Sequence, residues 1–378
     1  MNILIFDWSV QGHHLEYLHH IYCEAVKHTK HHFYFYVPAE FAEVKYKFIW
    51  EKAENIDIQY LKDKDLMKCK KKNLLVSAFF KSLIIRRIVL LHHIDRVWLI
   101  MFMHLMPFLP FMLPGNVLIS GILYRIYFYE GSNIKGARLL LEKLRYAFLA
   151  KEANVEAVYV LNDELAASKL NSIYSSSKFI QIPDPVPMID DSRVRNIRQE
   201  IGVGESETMF LHFGGLDERK GTLEILKAII DMPSDKLKGK VFVFAGKIKD
   251  SIHDDFYSLL QKAERKTRII VYDEFCSYLF LINLCNSTDY ILIPYKNTNQ
   301  SSGVIGYASF FSKPVIGPSQ GLLGRLIKSY NLGYAIDDLS STGLARTMST
   351  VKPILCSREY AITHSVEKFS EVLWRNLQ

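Results

Sequence analysis

Residues 210–223 of the 378-residue chain read FLHFGGLDERKGTL, and this stretch decides the fold. An apolar run stops at Gly214-Gly215, and an apolar pattern with helical spacing follows the basic pair Arg219-Lys220. The stretch is therefore predicted to form a strand, a glycine turn and a helix. Helix N-termini attract anions, and a lysine adds a point charge, so the turn is a candidate phosphate site. An ordinary loop with a solvated basic pair is the alternative.

Strand and helix patterns alternate on both sides of this stretch. Apolar strands alternating with helices indicate parallel sheets that are covered on both faces. Helices are predicted at 74–93 and 135–150. Strands are predicted at 2–7, 33–37, 96–101, 157–161, 178–182, 208–213, 241–245, 268–272, 290–294 and 314–317.

The proline-rich segment 183–187 can continue neither a helix nor a central strand, and it marks a domain boundary. The fold class is predicted to be α/β, with two doubly wound Rossmann-like domains facing a deep interdomain cleft. The domains are placed at 1–185 and 190–357, followed by a C-terminal helix at 358–378 that packs back toward the first. Such sheets bind ligands beyond the carboxyl ends of their strands.

Composition excludes several classes of protein. Hydrophobic residues make up 49% and charged residues 23%, which is globular rather than disordered usage. The five cysteines show no CxxC spacing, so neither a zinc site nor a disulfide framework is indicated. The N-terminal residues lack a signal-peptide pattern, and a cytoplasmic protein is expected.

Trp98–Ile119 is apolar and nearly long enough to span a membrane, but it contains His104 and three prolines. A buried strand, a loop and a short helix are therefore predicted there. A surface that touches the membrane without crossing it is the alternative.

A second candidate phosphate site is the sequence NQSSGV at 299–304, which follows a predicted strand. Serine and glycine at a helix start leave N–H groups open to an anion. A plain serine cap of a helix explains the same residues without a ligand. No metal site is predicted, because Asp63-Lys64-Asp65 is the only DxD sequence and lies in a lysine-rich stretch.

Four segments in this order resemble the retaining glycosyltransferases of family four, which have the GT-B fold and include enzymes of bacterial polysaccharide and glycan assembly. They are QGHH at 11–14, IPDPV at 182–186, FGGL with the following Lys220-Gly221, and KPVI at 313–316. The resemblance implies transfer of a hexose or hexosamine from a nucleoside diphosphate sugar, UDP- or GDP-linked, to a hydroxyl of a glycan or lipid-linked acceptor. It also implies retention of configuration without a bound metal or other cofactor.

The resemblance assigns donor contacts mainly to the second domain. Lys220 is expected to contact the diphosphate, and Gly12 to let the first loop approach it. Backbone amides of three residues are expected to hold the diphosphate: Ser301, Ser302 and Gly303.

Two positions depart from the family pattern. The family's diphosphate-binding arginine falls on Gly215, for which Arg219 is a substitute. Its paired glutamates fall on Asn299 and Tyr307, and Tyr307 offers the ribose one hydroxyl in place of a carboxylate. Asn299 is kept as a sugar contact.

Histidines in the first domain are candidate sugar contacts. His13 lies in the first loop, and His104 follows an apolar strand where the family often has a sugar-binding histidine. Glu130-Gly131-Ser132 is a candidate loop on the acceptor side. Helix capping or a satisfied buried histidine explains each of these without a ligand.

The basic stretch Lys62–Lys72 precedes an apolar, aromatic helix, a combination that anionic membranes attract. Peripheral contact with the inner face of the membrane is therefore expected, and a solvated charge run is the alternative. Nucleic acid is excluded as a partner, because no basic–aromatic alternation suggests stacking on bases. Three rival functions remain: a catalytically degenerate GT-B subunit, a sugar-nucleotide epimerase and a membrane-binding scaffold.

Overall fold

A computed structural model of the chain describes residues 1–10, 14–124, 126, 136–187 and 189–377. The chain divides into two compact units. Unit 1 contains Met1–Pro183 and Phe369–Gln378, and unit 2 contains Asp184–Lys368.

Unit 1 is built on a parallel seven-stranded sheet in the order β3-β2-β1-β4-β5-β6-β7. Its central strands are buried along nearly their whole length, as expected for a sheet covered on both faces. The strands are β1 (Asn2–Phe6), β2 (His32–Val37), β3 (Ile56–Tyr60), β4 (Arg96–Leu99), β5 (Leu118–Leu123), β6 (Val155–Leu161) and β7 (Phe179–Ile182).

The helices of unit 1 pack on both faces of this sheet. They are α1 (His14–Lys27), α2 (Phe41–Val44), α3 (Asp63–Cys69), α4 (Leu74–His92), α5 (Phe108–Met112), α6 (Ala137–Lys151) and α7 (Glu164–Tyr174). The Asn73 side chain caps α4 by accepting hydrogen bonds from the N–H groups of Leu75 and Val76 at 3.0 and 3.1 Å.

The apolar stretch Trp98–Ile119 folds as a strand, a turn and a short helix. β4 ends at Leu99, a 3-10 turn covers Phe102–Leu105, α5 follows, and β5 begins at Leu118. The predicted arrangement is therefore confirmed. In the ranges that the structure describes, no helix is both long and apolar enough to cross a membrane.

Unit 2 has a parallel six-stranded sheet in the order β10-β9-β8-β11-β12-β13. The strands are β8 (Thr208–Phe213), β9 (Lys240–Ala245), β10 (Arg268–Tyr272), β11 (Tyr290–Leu292), β12 (Val315–Pro318) and β13 (Gly333–Ile336). The helices are α8 (Thr222–Asp231), α9 (Ser234–Leu237), α10 (His253–Glu264), α11 (Tyr278–Ser287), α12 (Gly303–Phe310), α13 (Gly321–Ser329), α14 (Ser341–Thr350), α15 (Glu359–Thr363) and α16 (Val366–Leu373).

The end of the chain returns to unit 1, and the division between the units falls within α16. The Phe369 ring packs edge-on against Tyr17 at 5.6 Å, and Trp374 packs against Trp98 at 4.2 Å. The Tyr159 hydroxyl donates to the Leu373 carbonyl oxygen at 3.1 Å. The last residues therefore complete the core of unit 1.

Each sheet has one point where the strand order reverses, between β1 and β4 in unit 1 and between β8 and β11 in unit 2. Loops that leave two such neighbouring strands go to opposite faces and leave a crevice at the carboxyl ends, where doubly wound folds bind ligands.

Candidate functional site

The loop after β8 is fixed by backbone and side-chain hydrogen bonds. The Gly214 N–H donates to the Ala245 carbonyl oxygen at 2.9 Å, and the Asp217 carboxylate accepts from the Lys220 N–H at 2.9 Å. Gly221 has a φ of +71°, and a Cβ there would lie 2.3 Å from the Pro294 carbonyl oxygen. Only glycine therefore lets this loop pack against the segment that follows β11.

Lys220 folds back over the carboxyl end of β8. Its ammonium donates to the Phe213 carbonyl oxygen at 3.2 Å and lies 5.5 Å from the centre of the Tyr295 ring. A Cβ on Gly214, which has a φ of +93°, would come within 2.5 Å of the Lys220 nitrogen. The missing side chain at Gly214 thus makes the room that the ammonium occupies.

Arg219 lies on the same turn, with its guanidinium 6.0 Å from the centre of the Tyr295 ring and 3.7 Å from the Asp217 carboxylate. Its side chain is 42% exposed, so it can reorient toward an anion. Gly215 faces open space in the described part of the chain, since a Cβ built on it has no heavy atom there within 4 Å. The turn therefore presents two cations beside an empty position.

The start of α12 lies beside this turn in unit 2. The Lys296 N–H donates to the Arg219 carbonyl oxygen at 2.9 Å, which joins the loop after β11 to the loop after β8. Ser302 precedes α12 in an extended conformation, and its side chain does not cap the helix. Instead, its hydroxyl donates to the Tyr295 hydroxyl at 3.4 Å. Tyr295 thus connects Lys220 to the start of α12.

Two other predicted residues of this segment have protein partners. The Ser301 hydroxyl donates to the Asp184 carboxylate. The Asn299 N–H donates to the Asn297 side chain at 3.2 Å. Because the Ser301 hydroxyl is bonded to a carboxylate, only the backbone of Ser301 is suited to an anion.

Tyr307 lies inside unit 2. Its side chain is 7% exposed, and its ring packs edge-on against Phe213 at 5.8 Å. The ring therefore packs beneath the carboxyl end of β8, where it supports the loop that bears Lys220.

His212 holds β8, β11 and the start of α8 together. Its Nδ1 donates to the Leu292 carbonyl oxygen at 2.8 Å, and its Nε2 lies 3.0 Å from the Thr222 hydroxyl. Burial lowers the pKa of His212 to about 4, although the hydrogen bond to Leu292 opposes this shift. The imidazole is therefore neutral at pH 7.

Carboxylates around the turn already have cationic partners. Partial burial raises the pKa of Asp217, but the Lys249 ammonium at 3.1 Å and the Arg219 charge outweigh it, and the net shift is downward. Lys296 pairs with Glu218 at 3.1 Å and with Glu224 at 3.0 Å. No such ion pair joins Lys220 to a carboxylate in the described residues.

Unit 1 has a second polar cluster, at the point between β1 and β4 where its strand order reverses. The buried Asp7 carboxylate lies 2.6 Å from His14 Nδ1, and burial raises the pKa of Asp7 against this bond. Trp8 stacks on His104 at 5.7 Å, and the Lys81 ammonium lies 3.6 Å from the centre of the Trp8 ring. Desolvation by the surrounding protein lowers the pKa of His104 to about 4, and the positive charge of Lys81 acts in the same direction. His104 is therefore a neutral imidazole with an exposed edge.

Several predicted residues cannot be placed in either cluster. Gly12 and His13, and the loop Glu130-Gly131-Ser132, lie outside the described residues. Sequence reasoning missed Tyr295, Lys81, Trp8 and Asp7, because each is recognised by contacts with residues far along the chain.

The two aspartates of the DxD sequence lie on a helix, and one of them has a cationic partner. Asp63 and Asp65 lie in the first turn of α3, and the buried Asp65 carboxylate pairs with Arg87 at 2.6 Å. More broadly, the parts of the chain that the structure describes contain no group of three His, Cys, Asp or Glu side chains that could hold a metal ion.

Solved structures share this architecture over the whole chain. WaaG, a glycosyltransferase involved in lipopolysaccharide biosynthesis, matches with a TM-score of 0.70 and 17% identity, over 98% of this chain and 99% of its own. HepE of Anabaena, in complex with UDP and glucose, matches with a TM-score of 0.70 and 14% identity, over 100% and 99%. Sucrose-phosphate synthase of Thermosynechococcus elongatus gives 0.69 and 14%, over 100% and 98%.

In sequence, no family model and no curated protein matches the chain significantly. The structural likeness and the two parallel sheets establish the fold. The chain has two Rossmann-like domains of the kind found in GT-B glycosyltransferases.

Proposed function

We propose that the protein is a glycosyltransferase that uses a nucleoside diphosphate sugar as donor. The observation that carries this proposal is the position of Lys220 in unit 2. Lys220 has no carboxylate partner among the described residues, and it lies at the point where the strand order of the sheet reverses. Tyr295 connects it to the start of α12, which no side chain caps. A cation beside free N–H groups is the chemistry that binds a diphosphate.

The donor contacts are assigned to this cluster. Lys220 and Arg219 neutralise the diphosphate, and the amides of Ser301, Ser302 and Gly303 hold its oxygens. The family resemblance also assigns Gly12, which lies outside the described residues, to the diphosphate. Tyr307 supports the site from beneath, and its hydroxyl alone is a candidate for a ribose contact.

The finer reaction follows from the family resemblance. We infer transfer of a hexose or hexosamine from a UDP- or GDP-linked donor, with retention of configuration and no metal. His104, His13 and Asn299 are assigned to the sugar. A neutral His104 suits this role, since it can both donate a hydrogen bond and accept one. HepE, a structural neighbour, was solved in complex with UDP-glucose.

The acceptor is proposed to be a glycan or a lipid-linked glycan that is met at the inner face of a membrane. α4 leaves several apolar side chains in water, including Leu74 at 62%, Leu75 at 43% and Phe79 at 38% exposure. Exposed lysines of the segment Lys62–Lys72 lie just before this helix. An apolar surface bordered by cations favours an anionic leaflet. We therefore propose a cytoplasmic protein in peripheral contact with the membrane.

A catalytically degenerate GT-B subunit is the second candidate. The observations that favour it are the empty space at Gly215, where the family has an arginine, and the burial of Tyr307, where it has a carboxylate. Such a subunit would keep the fold and bind a partner without turning over a donor.

A thermal-shift panel of UDP, GDP and their sugars tests donor binding, and turnover of the sugar nucleotide that binds then separates the enzyme from a degenerate subunit. A ligand present at 100 times its dissociation constant stabilises the folded protein by about 2.7 kcal/mol. The proposal predicts a rise in Tm with one nucleotide, and a further rise with one of its sugars. No rise with any compound of the panel would favour the degenerate subunit.

A further inference from the structure

Among the residues that the structure describes, the Lys81 ammonium of unit 1 is a buried cation without an anionic partner. Lys81 comes from the middle of α4 and is 3% exposed, and its nitrogen lies over the Trp8 ring at 3.6 Å. Within the described part of the chain, no hydrogen bond or ion pair reaches this nitrogen. A cation–π contact offsets only part of the cost of removing an ammonium group from water.

The neighbouring charges do not supply the missing anion. Asp7 is engaged with His14 at 2.6 Å, and Arg145, a second cation that acts on His104, pairs with Glu142 at 2.8 Å. Burial lowers the pKa of Lys81 to about 8, and the nearby Cys69 and Asp7 oppose this shift only in part. Burial also raises the pKa of Cys69, to about 11, so its thiol is neutral at pH 7 and offers no counter-charge.

The position of Lys81 points to a ligand. Trp8 follows β1 and His104 follows β4, so the group lies at the carboxyl edge where this sheet reverses its strand order. The Ser82 hydroxyl is 3.5 Å from the Leu105 carbonyl oxygen, which holds α4 against the turn that carries His104. Lys81 therefore lies at the edge of the unit 1 sheet where doubly wound folds bind ligands. The donor cluster, in contrast, consists of residues of unit 2.

We propose that Lys81 binds an oxyanion, a phosphate or carboxylate, of the acceptor substrate, with His104 contacting the same molecule. The identification of the ligand as the acceptor substrate rests on the proposed function, whereas the anion site itself does not. It defines the acceptor as an acidic molecule, either a phosphorylated glycan or lipid carrier or an acidic sugar.

The test measures the binding of inorganic phosphate, and separately of acetate, to the full chain at constant ionic strength and with saturating UDP. Lys81→Met keeps the apolar stem and removes the charge. It is expected to weaken the binding of one of the two anions at least about tenfold, the scale of a lost charge-assisted contact. Lys169→Met, a change of an exposed lysine on α7, is expected to bind both anions like the wild type.

A measurement on the wild type needs no variant. The side-chain NMR signal of Lys81 is expected to shift when the anion is added, and that of Lys169 to stay unchanged. Preference for phosphate indicates a phosphorylated acceptor, and preference for acetate a carboxylated one. Equal anion binding by wild type and Lys81→Met, or an unchanged NMR signal of Lys81, would overturn the inference. Failure of both UDP and GDP to bind would count against the proposed function alone, because the comparison of anion binding by wild type and Lys81→Met does not depend on either nucleotide.

Discussion

The Lys220 ammonium lies 3.2 Å from the Phe213 carbonyl oxygen, in the space that Gly214 leaves by having no side chain. A carbonyl is a weak partner for a full positive charge, and the described residues offer Lys220 no carboxylate. A diphosphate that reaches this edge therefore gains a cation that needs little reorganisation.

Gly215→Arg is predicted to strengthen binding of the donor nucleotide by about tenfold, the value of one charge-assisted contact. The position has no positive φ, and a Cβ there meets no heavy atom of the described residues within 4 Å, so the backbone accepts a side chain at this point. Titration calorimetry with UDP measures the change. Gly115→Arg adds the same charge at another open position and serves as the control. Binding no tighter than wild type would argue against a diphosphate at this turn.

Gly221→Ala is predicted to destabilise unit 2 more than Gly239→Ala does. Both glycines have a φ of +71°, so both substitutions cost roughly 1–2 kcal/mol of backbone strain. Only the Cβ at 221 meets the Pro294 carbonyl oxygen, at 2.3 Å, which adds about 1–3 kcal/mol. Denaturant unfolding compares the two, and similar losses of stability would show that this close approach is not needed.

The free energy of unfolding is predicted to fall as the pH drops from about 6.5 to about 4. The folded chain keeps His212 neutral, whereas the unfolded chain binds a proton there near pH 6.5, so acid favours unfolding. This one group contributes up to about 3 kcal/mol.

His212→Asn should therefore be less stable at pH 7 and should show a shallower decline with acid. His253→Asn is the control, since that side chain is 46% exposed in the folded protein. Equal slopes for wild type and His212→Asn would contradict the buried, neutral assignment.

Vesicle binding is predicted to depend on α4. Leu75→Asp should reduce cosedimentation with anionic vesicles, because it places a negative charge on the exposed apolar surface at the start of α4. Lys71→Glu with Lys72→Glu should reduce it further, by about 1 kcal/mol for each lysine removed. Leu165→Asp changes a leucine on α7 that is 60% exposed and should have no effect. Retained binding by the α4 variants would remove this surface from the account.

Sequence patterns predicted the buried strands well because burial on both faces makes them continuous apolar runs. β8 was predicted at 208–213 and is observed at Thr208–Phe213, and the helix predicted at 74–93 is observed at Leu74–His92. Three strands were missed. β3 is an edge strand that mixes polar with apolar residues, β5 contains Ser120-Gly121, and β13 begins at a glycine. Each has too short an apolar run to be distinguished from a loop.

The residues of the candidate site likewise fall into those that the sequence indicates and those that it does not. Lys220 and Ser302 belong to local motifs, and the sequence indicated both. Tyr295 and Trp8 acquire their roles from partners brought together by the fold, which no spacing reveals. One sequence feature indicated Lys81, since it is the single lysine in the mostly apolar run 74–85. The basic residues before this run favoured a membrane surface instead.

Titration calorimetry of UDP against wild type, Lys220→Ala and Lys227→Ala tests the central claim most directly. Lys227 is an exposed lysine on α8, so its removal changes the net charge by the same amount without touching the site. The account predicts that UDP binds wild type and Lys227→Ala equally, and binds Lys220→Ala about 1.5–3 kcal/mol more weakly. Equal affinity of all three proteins for UDP would contradict the placement of the donor diphosphate at Lys220.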